Sequence, residues 1–318
     1  DGTELTGDIV IPETVSHIMG TAFIDNQGIA SIVVPDTVTE IDEYAFYSCQ
    51  QVTSIKLPDT IKSIGEGAFM HCYELTEINI PDRVESIGDI AFNKCEKLVE
   101  ITIPDSVTSI GREAFEACYA LESVVIPEGV TTINDRTFSE CTSLKSITFP
   151  STLTSIGSDA FYNCFDLKHV TIPENIASIA KGAFNSCNSM KSITIENPKC
   201  EIDDSSHTIS SRSTIYGYEG STAQAYAEKY ERKFVDIEKM YDSIETGDIN
   251  GDGMIDSSDA SLVLAEYAKI QTGEDETFAK EQNIAADVNK DGVIDSSDAS
   301  KILSYYAMVS TGKEPSWD

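Results

Sequence analysis

The chain of 318 residues contains one tryptophan, four histidines and only 22 Lys and Arg against 54 Asp and Glu. A net charge of −32 excludes a surface built to hold nucleic acid or an anionic membrane, because both require basic patches. No run of 18 apolar residues occurs, so no segment reads as membrane-inserted. The histidines His17, His71, His169 and His207 share no recurring position with a serine, cysteine or aspartate, and no catalytic constellation stands out. Glycoside hydrolysis needs two carboxylates about 5–10 Å apart in a cleft. Glu77 and Glu100, 23 residues apart, are the best such pair and read as an acidic patch of stacked neighbours. The chain begins at Asp1 without a methionine, a charged stretch or an apolar stretch, so a signal peptide is expected to have been removed or left out.

What is present is a period of 23. Cysteines recur at 49, 72, 95, 118, 141, 164 and 187, prolines from Pro12 to Pro173, phenylalanines from Phe23 to Phe184 and isoleucines from Ile18 to Ile179, all at that interval. A fixed period in this range signals a solenoid, in which no repeat buries its apolar side alone and each stacks on the next. In the copy LESVVIPEGVTTINDRTFSEC, a short strand places Val124 and Ile126 inward and a proline stops it. A second extended turn then places Val130 and Ile133 inward, and a Phe and Cys turn completes the coil. The cysteine column has an odd number of members whose side chains point the same way, a poor geometry for bridging, so buried free thiols are expected. Cys200 lies outside the column. The outward strand columns are small and polar, while Tyr73, Tyr119 and Phe165 follow the cysteines in alternate coils, with Tyr47 and Tyr162 nearby. Those rings shield the turns or form an aromatic strip for a polysaccharide or a protein.

The pattern IPxxVTSIGxxAFxxCxxL resembles the BspA-like (Treponema-type) leucine-rich repeats over roughly residues 5–195. That resemblance implies protein interaction and adhesion without specifying a ligand. IYGYEGSTAQAYAEKYERKFVDI (215–237) resembles the helix and strand that close such arrays, with Tyr226, Ala227 and Tyr230 covering the exposed end.

The second regularity is a pair of twelve-residue segments, DINGDGMIDSSD (248–259) and DVNKDGVIDSSD (287–298). Each places oxygen ligands at the positions of a calcium loop. In the first these are Asp248, Asn250, Asp252, the Met254 carbonyl, Asp256 and Asp259; in the second Asp287, Asn289, Asp291, the Val293 carbonyl, Asp295 and Asp298. Gly253 and Gly292 hold the tight sixth position, and Ile255 and Ile294 the apolar eighth. Each loop gathers four carboxylates whose repulsion opposes folding without a hard cation, so two Ca²⁺ are expected. A helix follows each loop, with apolar faces read at Leu262, Val263, Tyr267 and Ile270, then Ile302, Leu303 and Tyr306. A helix entering each loop and a Glu at position 12, usual in EF-hand sensors, are not evident.

A loop and one helix, duplicated at a 39-residue interval with Asp at position 12, resembles the type I dockerin family over about 248–310. The resemblance implies docking onto a cohesin module of a scaffolding protein, as in cellulosomes. The contacts it implies are Ser257, Ser258, Leu264, Ala265 and Lys269, and equivalently Ser296, Ser297, Leu303, Ser304 and Met308. The identical Ser-Ser pairs suit two alternative orientations; Ala265 against Ser304 and Lys269 against Met308 set the copies apart.

The expected architecture is a β-rich leucine-rich-repeat solenoid of 23-residue coils over 1–237, closed by a cap at about 200–237. A linker at 238–247 and a small all-α calcium-binding dockerin over 248–318 follow. The expected function is a secreted, non-catalytic cellulosome-associated adaptor held at a cell surface. Its repeat domain would recognise a protein, a host surface or plant cell-wall material. The alternatives are a polysaccharide-degrading subunit and a carbohydrate-binding module that uses the aromatic strip.

Overall fold

The 23-residue interval of the sequence is the advance of one coil. The structure, a computed structural model, describes residues 5–242, 244–272, 278, 280–289 and 293–317. It divides into two compact units, Asp1–Val235 and Asp236–Asp318. The first is a β-solenoid of about ten turns.

Each coil has three sides. On the first, short parallel strands pair in register one coil apart: Ser31 with Ser54 and then Glu77, Ser123 with Ser146, and His169 with Ser192. The proline that follows ends the strand, having no N–H to donate, and its carbonyl accepts the N–H three residues on, as Pro104 does from Val107 at 3.0 Å. The second side is a two-residue strand at the isoleucine column, Ser63–Ile64 pairing with Ser86–Ile87 and then Ser109–Ile110.

The third side is the Phe and Cys turn. Alternate N–H groups point along the stack: Gly67, Phe69 and His71 donate to the carbonyls of Asp89, Ala91 and Asn93 at 2.8–2.9 Å. Those between them, Ala68, Met70 and Cys72, donate back within the coil at 3.0–3.3 Å. This alternation uses two left-handed residues per coil. One column runs Thr21, Tyr44, Gly67, Ile90, Glu113, Arg136, Asp159 and Gly182, the other from Asp25 through His71, Lys94 and Glu140 to Ser186. Only Gly67 and Gly182 meet that demand with glycine. At the others the conformation costs about 1–2 kcal/mol, which the inter-coil hydrogen bonds offset.

Inside the turns the phenylalanines stack as a continuous column from Phe23 to Phe184, with neighbouring ring centroids 5.0–5.6 Å apart. The cysteines do more than fill space. Each thiol of the 23-residue column donates to the carbonyl of the phenylalanine in the coil before: Cys72 to Phe46, Cys95 to Phe69 and Cys118 to Phe92, all at 3.3 Å. All eight cysteines are free and buried, Cys200 included.

The strand ladder departs from the expected regularity between Glu77 and Glu100. Glu77–Ile78 pairs back to Ser54–Lys56, whereas Glu100 has only an isolated bridge to Ser123. Within the Glu77 coil, Asn79 turns its amide back to the preceding coil, where it accepts from Leu57 N and donates to Leu57 O, both at 3.1 Å, in the place that Lys56 O takes for Val34 one coil earlier. A cavity of about 520 Å³ opens there with both glutamates on its rim, so the two are not stacked neighbours of one sheet.

Helix α1, Thr222–Lys229, closes the array. Ser221 caps it by accepting from Gln224 N, and Ala223, Tyr226 and Ala227 are buried in the solenoid core. The Tyr226 hydroxyl donates to Ser205 O at 2.8 Å and accepts from Ile209 N at 3.2 Å. Tyr230 packs against Tyr226 with centroids 4.8 Å apart.

The described part of the second unit is helical: α2 Ile237–Asp242, α3 Ser257–Thr272, α4 Lys280–Ala286 and α5 Ser296–Ser310. Its core is built from repeat-related residues, Ile249 with Val288, Ala260 with Ala299, and Val263 with Ile302. Two features differ from the sequence expectation. Helix α4 does enter the second loop, though its seven residues carry no strong apolar period. On α5, Ile302 is buried but Leu303 and Tyr306 are 44% and 40% exposed. There α5 packs through its Ala299 and Ile302 side, while Tyr305 stacks on Trp317 with centroids 4.3 Å apart.

Burial pushes the Cys118 and Cys200 thiols up to about 12, with the same direction along the whole column. Only the thiolate reacts readily. An aromatic disulfide reagent at pH 8 is therefore expected to label none of the eight cysteines in the native protein and all eight after unfolding in guanidinium; fast native labelling of the column would contradict the buried ladder.

Candidate metal-binding and docking site

Each loop of the second unit is shaped by its own main chain. In the first, Asp248 accepts from Gly251 N at 2.9 Å, Asp252 N at 3.1 Å and Gly253 N at 2.9 Å. Asn250 Oδ1 accepts from Asp252 N, and Asp252 Oδ1 from Met254 N, at 2.8 and 2.9 Å. Gly251 and Gly253 have φ of +72° and +81°, the left-handed values that so tight a wrap requires.

Among the described residues, the position-12 aspartates are the most buried carboxylates of the unit, with 0% exposure for both Asp259 and Asp298. Asp259 accepts from Ile249 N and Asn250 N with one oxygen and from Asp256 N with the other, at 2.9–3.1 Å. Asp298 repeats this with Asn289 N at 3.3 Å and Asp295 N at 3.0 Å. Each ties the start of its loop to the start of its exiting helix. Asp256 and Asp295 accept from the N–H of Ser258 and Ser297 at 2.7 and 2.6 Å. Those serines hold both carboxyls below the usual range, by side-chain bonds first and backbone bonds second. At α5 the arrangement is a complete capping box of Asp295 and Asp298.

The donor set fits a hard divalent cation. Every candidate is an oxygen, and in each loop the two amide and carboxylate pairs repeat at equivalent places. Carboxylate oxygens that accept one or two N–H bonds keep lone pairs for a cation. In the first loop Asn250 Nδ2 donates to Asp252 at 3.0 Å and to Ser258 Oγ at 3.1 Å. No three of its carboxylates lie within 4.8 Å of one another; among the described residues, that closeness occurs in one cluster, His17, Glu40 and Asp42, on the repeat unit. Asp291 and Gly292 lie outside the described residues.

The residues expected to contact a partner divide by exposure. Ser257, Leu264 and Ala265 on α3 and Ser296, Leu303 and Ser304 on α5 are exposed, while Lys269 and Met308 are half-buried. Ser258 and Ser297 are exposed but engaged with their loops: the hydroxyl of Ser258 donates to Asp256 at 2.7 Å, and that of Ser297 accepts from Asn289 at 2.9 Å. The copies are unequal. Around Leu303, α5 also exposes Tyr306 and Val309, whereas their counterparts Tyr267 and Ile270 on α3 are half-buried.

Sequence reasoning missed three groups. Ile249 and Val288, at loop position 2, are core residues beside the apolar eighth position that was read. Glu266 is 2% exposed on α3, where it accepts from Phe278 N at 3.0 Å. On the repeat unit a polar cluster spans three coils: Arg136 bonds Glu116 and lies 3.6 Å from Glu113, and Asn93 donates to Glu116 at 3.1 Å. Asn93 with Glu116 and Glu113 with Arg136 each stand 23 residues apart, but the Arg136–Glu116 bond runs between those two columns, and no motif signals it.

Comparison with known proteins gives two family matches. The BspA type leucine rich repeat region matches residues 2–122 and 108–219 in six copies, and the dockerin type I domain matches residues 246–305. A search of curated proteins finds no match. A leucine-rich repeat protein from Bacteroides ovatus is 30% identical with a TM-score of 0.52, over 66% of this chain; the chain spans 63% of that protein's length. A leucine rich repeat protein of T. pallidum is 25% identical with a TM-score of 0.40, over 64% of this chain and 85% of its own. A leucine rich cell surface protein of Faecalibacterium prausnitzii is 24% identical with a TM-score of 0.42, over 73% of this chain and 79% of its own.

Glu116 makes a pH-dependent contribution with a definite sign. Burial, with a hydrogen bond to Glu113 adding and Arg136 opposing, raises its carboxyl from 4.5 to about 7. Below the lower value it is protonated in both folded and unfolded chains and makes no difference. As pH rises from there through about 7 its ionisation weighs progressively against the fold. Urea unfolding of the repeat unit is expected to weaken over that window and to weaken less in Glu116→Gln; parallel pH profiles for the two would contradict this assignment.

Proposed function

We propose, for a chain that belongs to the BspA-type leucine-rich repeat family and carries a type I dockerin domain after its repeats, that it is an extracellular adaptor. The dockerin would hold it on a cohesin of a scaffolding protein, and the repeat domain would recognise what lies nearby. Type I dockerin domains generally bind calcium, and here two ions are assigned. Asp248, Asn250, Asp252, Asp256, Asp259 and the Met254 carbonyl would hold one. Asp287, Asn289, Asp291, Asp295, Asp298 and the Val293 carbonyl would hold the other.

The observation that carries this reading is the duplicated wiring of the buried position-12 aspartates. Asp259 and Asp298 each join the entry of a loop to the first turn of a long helix, so loop conformation and helix placement change together. Occupation of the loops would neutralise the carboxylates and leave α3 and α5 presenting Ser257, Ser258, Leu264, Ala265 and Lys269, and Ser296, Ser297, Leu303, Ser304 and Met308. The inequality of the helices favours the α5 face as the stronger of two orientations, since contact energy concentrates in buried apolar anchors. No helix among the described residues is long and apolar enough to cross a membrane, and the dockerin supports placement outside the cell. Neither domain type is catalytic, which supports recognition over turnover.

The test is binding of the full chain to a panel of immobilised cohesins with calcium and with EGTA. Binding by at least one cohesin that is lost in EGTA, and lost in the Asp252→Ala, Asp291→Ala double variant, is expected. Leu303→Ser should weaken it by roughly ten-fold or more and Leu264→Ser by less, as befits an anchor. Calcium-independent binding, or equal loss from both leucine changes, would contradict the reading.

A further inference from the structure

The turn side of the repeat unit carries an aromatic ring at every second coil. Tyr73, Tyr119 and Phe165 stand 46 residues apart in one column, with Glu96 and Thr142 in the coils between. Tyr119 and Phe165 are 36% and 38% exposed. Tyr73 is half-buried and is widened into a larger platform by His71, stacked on it at 5.5 Å, and by Tyr47 on the far side of His71 at 5.3 Å. The phenylalanine rings inside the same turns advance 5.0–5.6 Å per coil. Rings two coils apart are therefore spaced on the order of 10 Å, twice the separation of hydrogen-bonded strands. An extended β-1,4-linked glycan presents the same face of its sugar rings at every second residue, with a matching repeat.

Beside this strip lies a cleft of about 470 Å³ that shares Tyr119 with it. Asn93, Lys94, Glu116, Arg136 and Glu140 line the cleft, and they are planar amide, carboxylate and guanidinium groups together with one amine. Such groups bond pairs of neighbouring hydroxyls. Two cations, Lys94 and Arg136, stand there against three carboxylates, Glu113, Glu116 and Glu140, with Arg136 between the first two. The cleft thus offers little uncompensated charge to a polyanion or a polycation. Asn93 and Glu116 are 4% and 7% exposed and bonded to each other, which fixes the geometry of the floor.

We propose that this face binds an extended, uncharged β-linked glycan chain, with Tyr73, Tyr119 and Phe165 stacking on alternate sugar rings and the Asn93–Arg136 cleft receiving hydroxyls. The strip supplies apolar area and register, and the cleft supplies direction along the chain. The regular period of the solenoid makes the match possible: only a scaffold with a constant advance keeps successive rings in step with a polymer. The proposal rests on the recognition role given to the repeat domain and is independent of docking, so cohesin binding by the same variants separates failure of one from failure of the other.

The test is titration calorimetry of the full chain in calcium with cellohexaose, xylohexaose and mannohexaose, using maltohexaose as a curved, α-linked control and hexalysine as a cationic one. At least one β-1,4 hexasaccharide is expected to bind ten-fold or more tightly than maltohexaose. Tyr119→Ala and Phe165→Ala should each weaken it by about ten-fold with unchanged melting temperature, whereas Tyr119→Phe, which keeps the ring, should stay within about two-fold. Absence of binding by every β-1,4 hexasaccharide at millimolar concentration, binding indifferent to Tyr119→Ala, or binding of hexalysine in their place would overturn the proposal.

Discussion

Every coil of the repeat unit completes its hydrogen bonding on a neighbouring coil. The strand N–H groups, the alternate N–H groups of the Phe and Cys turn, and the cysteine thiols all find their acceptors one coil away. A buried polar group without such a partner costs on the order of 1–3 kcal/mol, so a lone coil would carry several of these penalties at once. Stability is therefore a property of contact between neighbours. It follows that the array needs a cap, which α1 provides, and that its surface repeats at the same constant step as its core. The aromatic strip inherits its spacing from the phenylalanine ladder beneath it.

The second unit obeys a different constraint. It has a small apolar core, two residues deep on each long helix, beneath loops crowded with carboxylates. What orders it is wiring between main chain and side chain, in which Asp259 and Asp298 sit buried at the junction of loop and helix. A hard cation would act on the same oxygens that already position the helices. The two units are thus ordered differently: a hard cation would act on one, while the other holds itself by apolar stacking and hydrogen bonds between main-chain groups.

Much of this was legible in the sequence because it is periodic. Columns of Phe, Pro, Ile and Cys announce the solenoid, and the oxygen spacing announces the loops. What escaped was the chemistry that crosses columns or carries no characteristic residue. The column cysteines read as small hydrophobes, yet each is a hydrogen-bond donor to a carbonyl whose position no sequence pattern marks. The left-handed residues of the turns include Ile90, Arg136 and Lys94, where a residue-based reading expects glycine or asparagine. The Glu113, Glu116 and Arg136 cluster joins different columns. Leu303 and Tyr306 fit an apolar helical face by spacing, but α5 turns them outward. Glu77 and Glu100 share a column and still part, a break in the strand ladder that residue spacing does not mark.

The central claim is that the chain is two independently ordered units of which one is governed by calcium. Scanning calorimetry of the full chain in calcium and in EGTA tests it directly. Two transitions are predicted in calcium, with the smaller moving to much lower temperature in EGTA and the larger unmoved. A single transition that shifts as a whole, or two that are both indifferent to EGTA, would contradict the account.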